Sequence, residues 1–533
     1  MRNLPMLTIL GALPLAGAVA TVALPPRFAK WAKRLALAIS LLVLVGVRVL
    51  STQFDPGIGG FQFRERYAWI PQFGISYALG VDGIALVLIA LTAMLTPVVM
   101  LASWRNVEDG RRGQVFFALL LVIEAMMIGV FAAKDLFLFY VFFEVMLIPM
   151  YFLIGSYGGA QRSYAAVKFL LYNLAGGLLM LAAVIGLYVI SAQRLGEGTF
   201  DVEVLTQAVA DGRLAIDSGV AKALFAGFFL AFAIKAPLWP FHTWLPDAAS
   251  ETTPPSAALL VGVLDKAGTF GMLRYCLPLF PVAAKYFAPL IITLCVIGII
   301  YGALLAIGQT DLLRLIAYTS ISHFGFIGLG IFAMTSQGQA GATLYMVTHG
   351  LSTTALFLIA GFLISRRGSR RIADYGGVAK VAPLLAGIFL LAGLSSLALP
   401  GLAPFISEFL VLAGTFIRYP VAAILATLGI ILAAVYILLT YQRTMTGPVK
   451  PGNERLQDLA PREIWAVAPL VAMLIVLGFY PKPMLELITP AVNTTLGYVH
   501  QQAAPFVAGT DVTVDPAGVG GPGFSELEAS DLR

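Results

Sequence analysis

The chain is a succession of apolar runs, most of them long enough to cross a lipid bilayer, with no polar block of domain size between them. A helix needs about 20 predominantly apolar residues to traverse the hydrocarbon layer. Such runs fall at residues 6–24, 35–50, 84–101, 115–132, 136–154, 169–190, 223–238, 257–275, 287–307, 312–334, 342–364, 383–410, 420–441 and 464–480. The pattern predicts an all-α polytopic membrane protein of about fourteen transmembrane helices. Composition excludes a soluble enzyme: 59% of residues are hydrophobic and 12% charged, where soluble domains carry about 25% charged residues. The first run follows Arg2 and is rich in small residues, as a signal peptide is, but it is long and a basic loop succeeds it, so an uncleaved helix is expected.

The net charge of +6 does not point to nucleic acid, because the basic residues sit in short loops, where membrane topology explains them. An even number of crossings puts both termini on one side. The basic segments Arg27 to Arg34, Arg366 to Arg371 and Arg443 to Arg462 fall on the other side, which is therefore expected to be cytoplasmic and the termini exterior. The tail from Ala503 to Arg533 carries Asp511, Asp515, Glu526, Glu528 and Asp531 among glycines and prolines without a helical period. It reads as an extended exterior segment, either docked along a neighbouring subunit or simply disordered. Cys276 and Cys295 lie in apolar helical stretches and form no CxxC or Cys/His cluster, so neither zinc nor an iron–sulfur centre is expected. No glycine-rich nucleotide turn follows a strand. No cofactor is expected in this chain.

The informative residues are those that lipid rejects. A charge at mid-bilayer costs at least about 2.5–3.5 kcal/mol, so an ionisable residue there implies a function and a partner. Glu124 and Glu144 lie in the fourth and fifth runs, Lys235 in the seventh, Lys266 in the eighth, His323 in the tenth, His349 in the eleventh and Glu408 in the twelfth. Isolated histidines signal less than isolated lysines, since a hydrogen bond inside a bundle satisfies them. Helix breakers flank two of these charges: Pro237 follows Lys235, and Pro400 and Pro404 precede Glu408. Proline frees a backbone carbonyl, which in a membrane must be satisfied by protein or water. Two broken helices, each holding a charge, are how many transporters build paired midplane sites. They predict an internal duplication with Lys235 and Glu408 in corresponding places.

The stretch Ala233-Ile-Lys-Ala-Pro-Leu-Trp-Pro-Phe-His-Thr-Trp-Leu-Pro-Asp-Ala248 resembles the signature of the antiporter-like subunits of respiratory complex I, the proton-pumping NADH:quinone oxidoreductase. Further matches are Phe139 to Pro149 around Glu144, Gln309 to His323, Thr348 to Leu351, and Leu399-Pro-Gly401 leading to Ser407-Glu-Phe409. The resemblance spans nearly all of the chain except its tail. A glutamate in the twelfth helix, where sister chains usually carry lysine, makes it similar to the chain M branch, the counterpart of mitochondrial subunit 4.

The resemblance implies two inverted five-helix repeats, each with a broken helix. Residues 1–114 would hold three N-terminal helices, 115–280 the first repeat, 281–445 the second, 446–502 the last helix and its flanks, and 503–533 the tail. It further implies a bacterial-type inner (plasma) membrane, with other membrane-arm subunits of the complex and lipids as partners. A poorly hydrated interior disfavours the charged forms of carboxylates and amines alike, and an opposite charge nearby restores them, so proton affinity there can be switched. By resemblance, Glu144 pairs with Lys235, and separating them drives a proton off the lysine. Lys266 is then the central relay, His323 and His349 the bridge, and Glu408 the terminal proton site. Asp265, His242 and Glu124 are possible modulators. Moving a proton against the membrane potential needs roughly 2.3 kcal/mol per 100 mV, which quinone reduction elsewhere in the complex would supply.

Three departures stand out: Leu313 where many relatives have lysine, the loosely matching Glu251-Thr-Thr-Pro-Pro, and Asp265 beside Lys266, where relatives commonly have an apolar residue. A subunit of a multisubunit cation/proton antiporter is the alternative reading, against which Glu408 argues, and a subunit of a membrane-bound hydrogenase is a third. In none of these is the chain catalytic alone.

Overall fold

The computed structural model describes residues 4–501. Among these, thirteen helices are long and apolar enough to cross a membrane. Twelve follow the expected runs from Met6–Ala23 to Pro420–Met445, and the thirteenth is Pro461–Phe479. The remaining expected run, 383–410, forms two pieces, Pro383–Ser396 and Ala403–Arg418. It is counted below as the twelfth span, so that Pro420–Met445 and Pro461–Phe479 are the thirteenth and fourteenth. The break falls at residues 397–402, between Ser396 and Ala403, where Pro400 cannot donate and Gly401 has φ +97°. The seventh span breaks likewise: Ser218–Lys235 ends on the lysine, and the chain resumes as Trp244–Glu251.

The two breaks do not place Lys235 and Glu408 in corresponding positions. Lys235 is the last residue of the first piece, whereas Glu408 lies in the second turn of the second piece. Pro240-Phe241 lies within the first break, whereas Pro404-Phe405 opens the piece that follows the second.

Spans eight, ten and eleven are buried almost throughout, while the first, second, thirteenth and fourteenth bury about a third of their most apolar window. The central three therefore form the dry axis, and the outer ones supply its apolar wall. All of the expected buried charges except Glu144 are buried, and Glu144 is partly so.

A feature shared by two distant joints orders the bundle. Asp135 caps the fifth span (Leu136–Tyr157), its Oδ1 accepting from the amides of Phe137 and Leu138 at 2.9 and 3.0 Å. Asp311 caps the tenth (Leu312–Phe332) in the same way, accepting from Leu313 and Arg314 at 2.8 and 3.1 Å. Each cap also pairs with the loop after the next span. Leu136 donates to Phe200 O and Val202 to Lys134 O, while Leu312 donates to Arg370 O and Ile372 to Thr310 O. Five spans separate the two joints, and an odd number puts the second on the opposite face of the membrane.

Two elements lie outside the expected runs. Strands β1 (Gln62–Ile70) and β2 (Ile75–Val81) form an antiparallel hairpin, turning at Gly74 with φ +67°. It is tied to the bundle through Asp135, whose Oδ2 accepts from the amide and hydroxyl of Ser76 at 2.9 and 3.3 Å. A further helix, Lys482–Gln501, packs on spans three and eleven. It buries Ile488, Ala491, Val492, Leu496 and Val499, one stripe at helical spacing. The tail from Ala503 to Arg533 lies outside the described residues.

Candidate proton path

The eighth span, Pro254–Leu279, is not a regular α-helix: wide π-type turns occupy Leu260–Leu264 and Met272–Cys276, on either side of Lys266–Gly271. Such turns are rare and frequently fall at functional sites. Here the carbonyl of Val261, five residues before Lys266, accepts from Lys266 Nζ at 2.5 Å. The same Nζ lies 2.7 Å from His349 Nδ1 on the eleventh span and 4.8 Å above the Phe324 ring. An ammonium in a fully buried position is thus held by one carbonyl, one imidazole and one aromatic face.

From His349 the line continues. The His323 ring lies 5.2 Å from it, centre to centre, and His323 Nε2 is 3.2 Å from the Tyr436 hydroxyl on the thirteenth span. Glu408 is 4% exposed, and the ring of Tyr345 lies 5.8 Å from that of His323. Beside it, Ser407 Oγ and Thr348 Oγ1 are 2.8 Å apart. The immediate neighbours of Glu408 and His349 are therefore hydrogen-bonded to each other across the twelfth and eleventh spans. The sequence reading missed Tyr345 and Tyr436. Tyrosine is common in apolar helices, and only the packing brings these two rings beside the histidines.

The other end is looser. Lys235 is 1% exposed and its Nζ has no hydrogen-bond partner. It sits 4.5 Å above the ring of Phe143, the residue before Glu144. Glu144 makes no ion pair with Lys235 within 4 Å, contrary to the expected pairing. Its carboxylate instead lies in a notch on the sixth span (Arg162–Leu195), where a Cβ on Gly177 would stand 1.8 Å from Oε1. Any residue other than glycine at 177 would occupy the space that the carboxylate fills.

The proposed modulators separate. Asp265 is fully buried with both oxygens unpartnered. Glu124 is also fully buried, but it faces the second span, accepting from Ser40 at 3.2 Å. His242 lies in the break of the seventh span, its ring 5.1 Å from that of Tyr301. Past that break, the short helix Trp244–Glu251 carries Asp247, which accepts from Lys168 of the first half at 2.7 Å and from Arg314 of the second at 2.6 Å. Among the described residues no group of three or more His, Cys, Asp or Glu is placed to hold a metal ion.

The family model for the transmembrane domain shared by NADH:quinone oxidoreductase and the Mrp antiporter matches residues 133–433, and that for the amino terminus of NADH-ubiquinone oxidoreductase chain 4 matches 63–130. The chain belongs to the antiporter-like family of NADH:quinone oxidoreductase. Among members of this family, NADH-quinone oxidoreductase subunit M of Mycobacterium tuberculosis (strain H37Rv) is 57% identical over 540 residues, covering 95% of this chain and 97% of that one. The same-named subunit of Rhodobacter capsulatus is 41% identical, covering 92% and 96%. A chain of respiratory complex I from Thermus thermophilus superposes with a TM-score of 0.84 at 32% identity, covering 92% of this chain and 99% of that chain. A chain of the Mrp complex from Dietzia sp. has a TM-score of 0.78 at 23% identity, which shows a shared fold alone. In this antiporter-like chain Lys266, His323 and His349 lie on the three most deeply buried spans.

Proposed function

We propose that this chain is the proton-translocating M-type subunit of the membrane arm of an NADH:quinone oxidoreductase, and that Glu144, Lys235, Lys266, His349, His323 and Glu408 carry the proton. The observation that carries the reading is the contact between Lys266 and His349, which joins a lysine of the first half to a histidine of the second inside the driest part of the bundle. A buried lysine next to an imidazole nitrogen is a donor–acceptor pair, not a structural ion pair, since neither partner neutralises the other.

In this reading, residues 115–280 and 281–445 are two inverted repeats, supported by the matched caps at Asp135 and Asp311. Residues 1–114 and 446–502 flank them. The proton is taken up near Glu144 and Lys235, passes Lys266, and reaches Glu408 through the histidines with Tyr436 and Tyr345. Opening and closing the approach of Glu144 to Lys235 alters the proton affinity of both. The chain moves protons and carries no redox centre; the electrons travel in other subunits of the complex, and its lateral faces meet those subunits and lipid. The termini lie outside a bacterial-type plasma membrane. Favouring this over a cation/proton antiporter are the chain 4 amino-terminal match and the higher identity to subunit M chains.

Glu144→Gln tests the reading. In membranes where the complex still assembles, NADH-driven proton pumping should fall to a small fraction of its normal value. Pumping close to normal would overturn the role given to Glu144 and Lys235.

A further inference from the structure

Asp265 is the one buried carboxylate in the central axis that the path above leaves without a task. Its side chain is fully inside, and both of its oxygens lack a hydrogen-bond partner. An unpaired carboxylate in a dry interior is costly, and such groups persist where they act. Lys266 is the neighbour of Asp265 along the helix.

The backbone brings Lys235 close as well. The turn after Asp265 presses on the end of the seventh span: a Cβ on Gly268 would stand 2.5 Å from Phe232 O and 2.7 Å from the amide of Ala236, the residue after Lys235. Only glycine permits that approach. Asp265 and Gly268 are one turn apart and share a side of the helix, so the carboxylate is on the side that meets the end of Ser218–Lys235. Lys235 Nζ is likewise buried and unpartnered. A free ammonium and a free carboxylate thus border the same tight contact, with a second lysine adjacent to the carboxylate.

We infer that Asp265 is itself a proton carrier, receiving a proton from Lys235 and delivering it to Lys266. The inference rests on the proton-translocating reading above. In the first step an N–H bond of the Lys235 ammonium breaks and an O–H bond forms on Asp265, leaving a neutral amine and a neutral acid. In the second, that O–H bond breaks and an N–H bond forms on neutral Lys266, restoring the carboxylate. Lys266 then passes a proton to the lone pair of His349 Nδ1, 2.7 Å away. Adjacent helical residues point about 100° apart, so a turn of the Asp265 side chain about its Cα–Cβ bond serves to face either lysine.

The test compares Asp265→Asn and Asp265→Leu in the whole complex, with proton pumping measured against quinone reduction from acidic to alkaline pH. A carrier predicts that both variants lose pumping at least fivefold at every pH. Full maximal pumping at a displaced pH in either variant would overturn the inference, because Asp265 would then act only as a fixed charge. If neither variant assembles, infrared difference spectra of the unmodified complex during NADH turnover decide the matter. A carrier must show a transient protonated-carboxyl band that isotope-labelled aspartate shifts, and its absence overturns the proposal. Glu144→Gln separates the two levels: if it abolishes pumping while Asp265→Asn does not, the carrier role fails and the wider reading stands. Normal pumping in Glu144→Gln defeats the wider reading instead.

Discussion

Lys266 and His349 approach to 2.7 Å across the interface of the eighth and eleventh spans. The lysine belongs to the first half of the chain and the histidine to the second. On the path it is the hydrogen-bond contact between ionisable groups of the two halves.

Replacing His349 with leucine removes the acceptor and leaves the ammonium with the Val261 carbonyl as its only hydrogen-bond partner. Stranding a buried charged donor costs about 1–3 kcal/mol or more. The expected outcome is an assembled complex whose proton pumping falls at least tenfold while the flavin-side oxidation of NADH by an artificial acceptor is unchanged. Pumping within twofold of normal would show that the lysine hands its proton elsewhere.

Gly177→Ala should act through Glu144. The added methyl would stand 1.8 Å from Oε1, so the carboxylate, the flexible end of the side chain, must leave its notch. Gly186→Ala on the same helix is the control, since its nearest neighbour is the mobile end of Leu224 at 3.0 Å. Pumping is expected to fall in the first variant and persist in the second, and equal effects would remove the link between Gly177 and Glu144.

The orientation can be read with a membrane-impermeant thiol reagent. Arg213 and Arg455 are both exposed and lie in loops on opposite faces, after the sixth and thirteenth spans. With the termini outside, a cysteine at 455 is labelled only from the cytoplasm and one at 213 only from outside. The reverse pattern would invert the topology.

Hydrophobicity and charge made most of this molecule legible before any coordinates. Apolar runs of membrane length fix the spans, because lipid leaves a backbone no other way to satisfy its hydrogen bonds. Lys235, Lys266 and Glu408 stand out because they violate that rule. Less legible were elements whose signals lie in period or geometry. The stripe from Ile488 to Val499 has ordinary amphipathic spacing, but it is not an apolar run. β1 is largely exposed and reads as a polar loop. Tyr345 and Tyr436 gain significance only from the groups that packing brings to them. The notch that Glu144 fills exists because Gly177 has no side chain, which no count of charges reveals.

The wide turns on both sides of Lys266 bear on phase. A regular helix locks the direction of every Cα–Cβ bond to every other at about 100° per step, so that direction turns only if the whole helix does. Each π-type turn hydrogen-bonds one residue further along the chain than an α turn does. The segment Lys266–Gly271 is consequently bounded by a slack residue at either end. Shifting that slack by one position would swing the lysine through a large angle while the ends of the span, anchored in the bundle, stay where they are. A helix built in this way can be a fixed wall and a moving part at once.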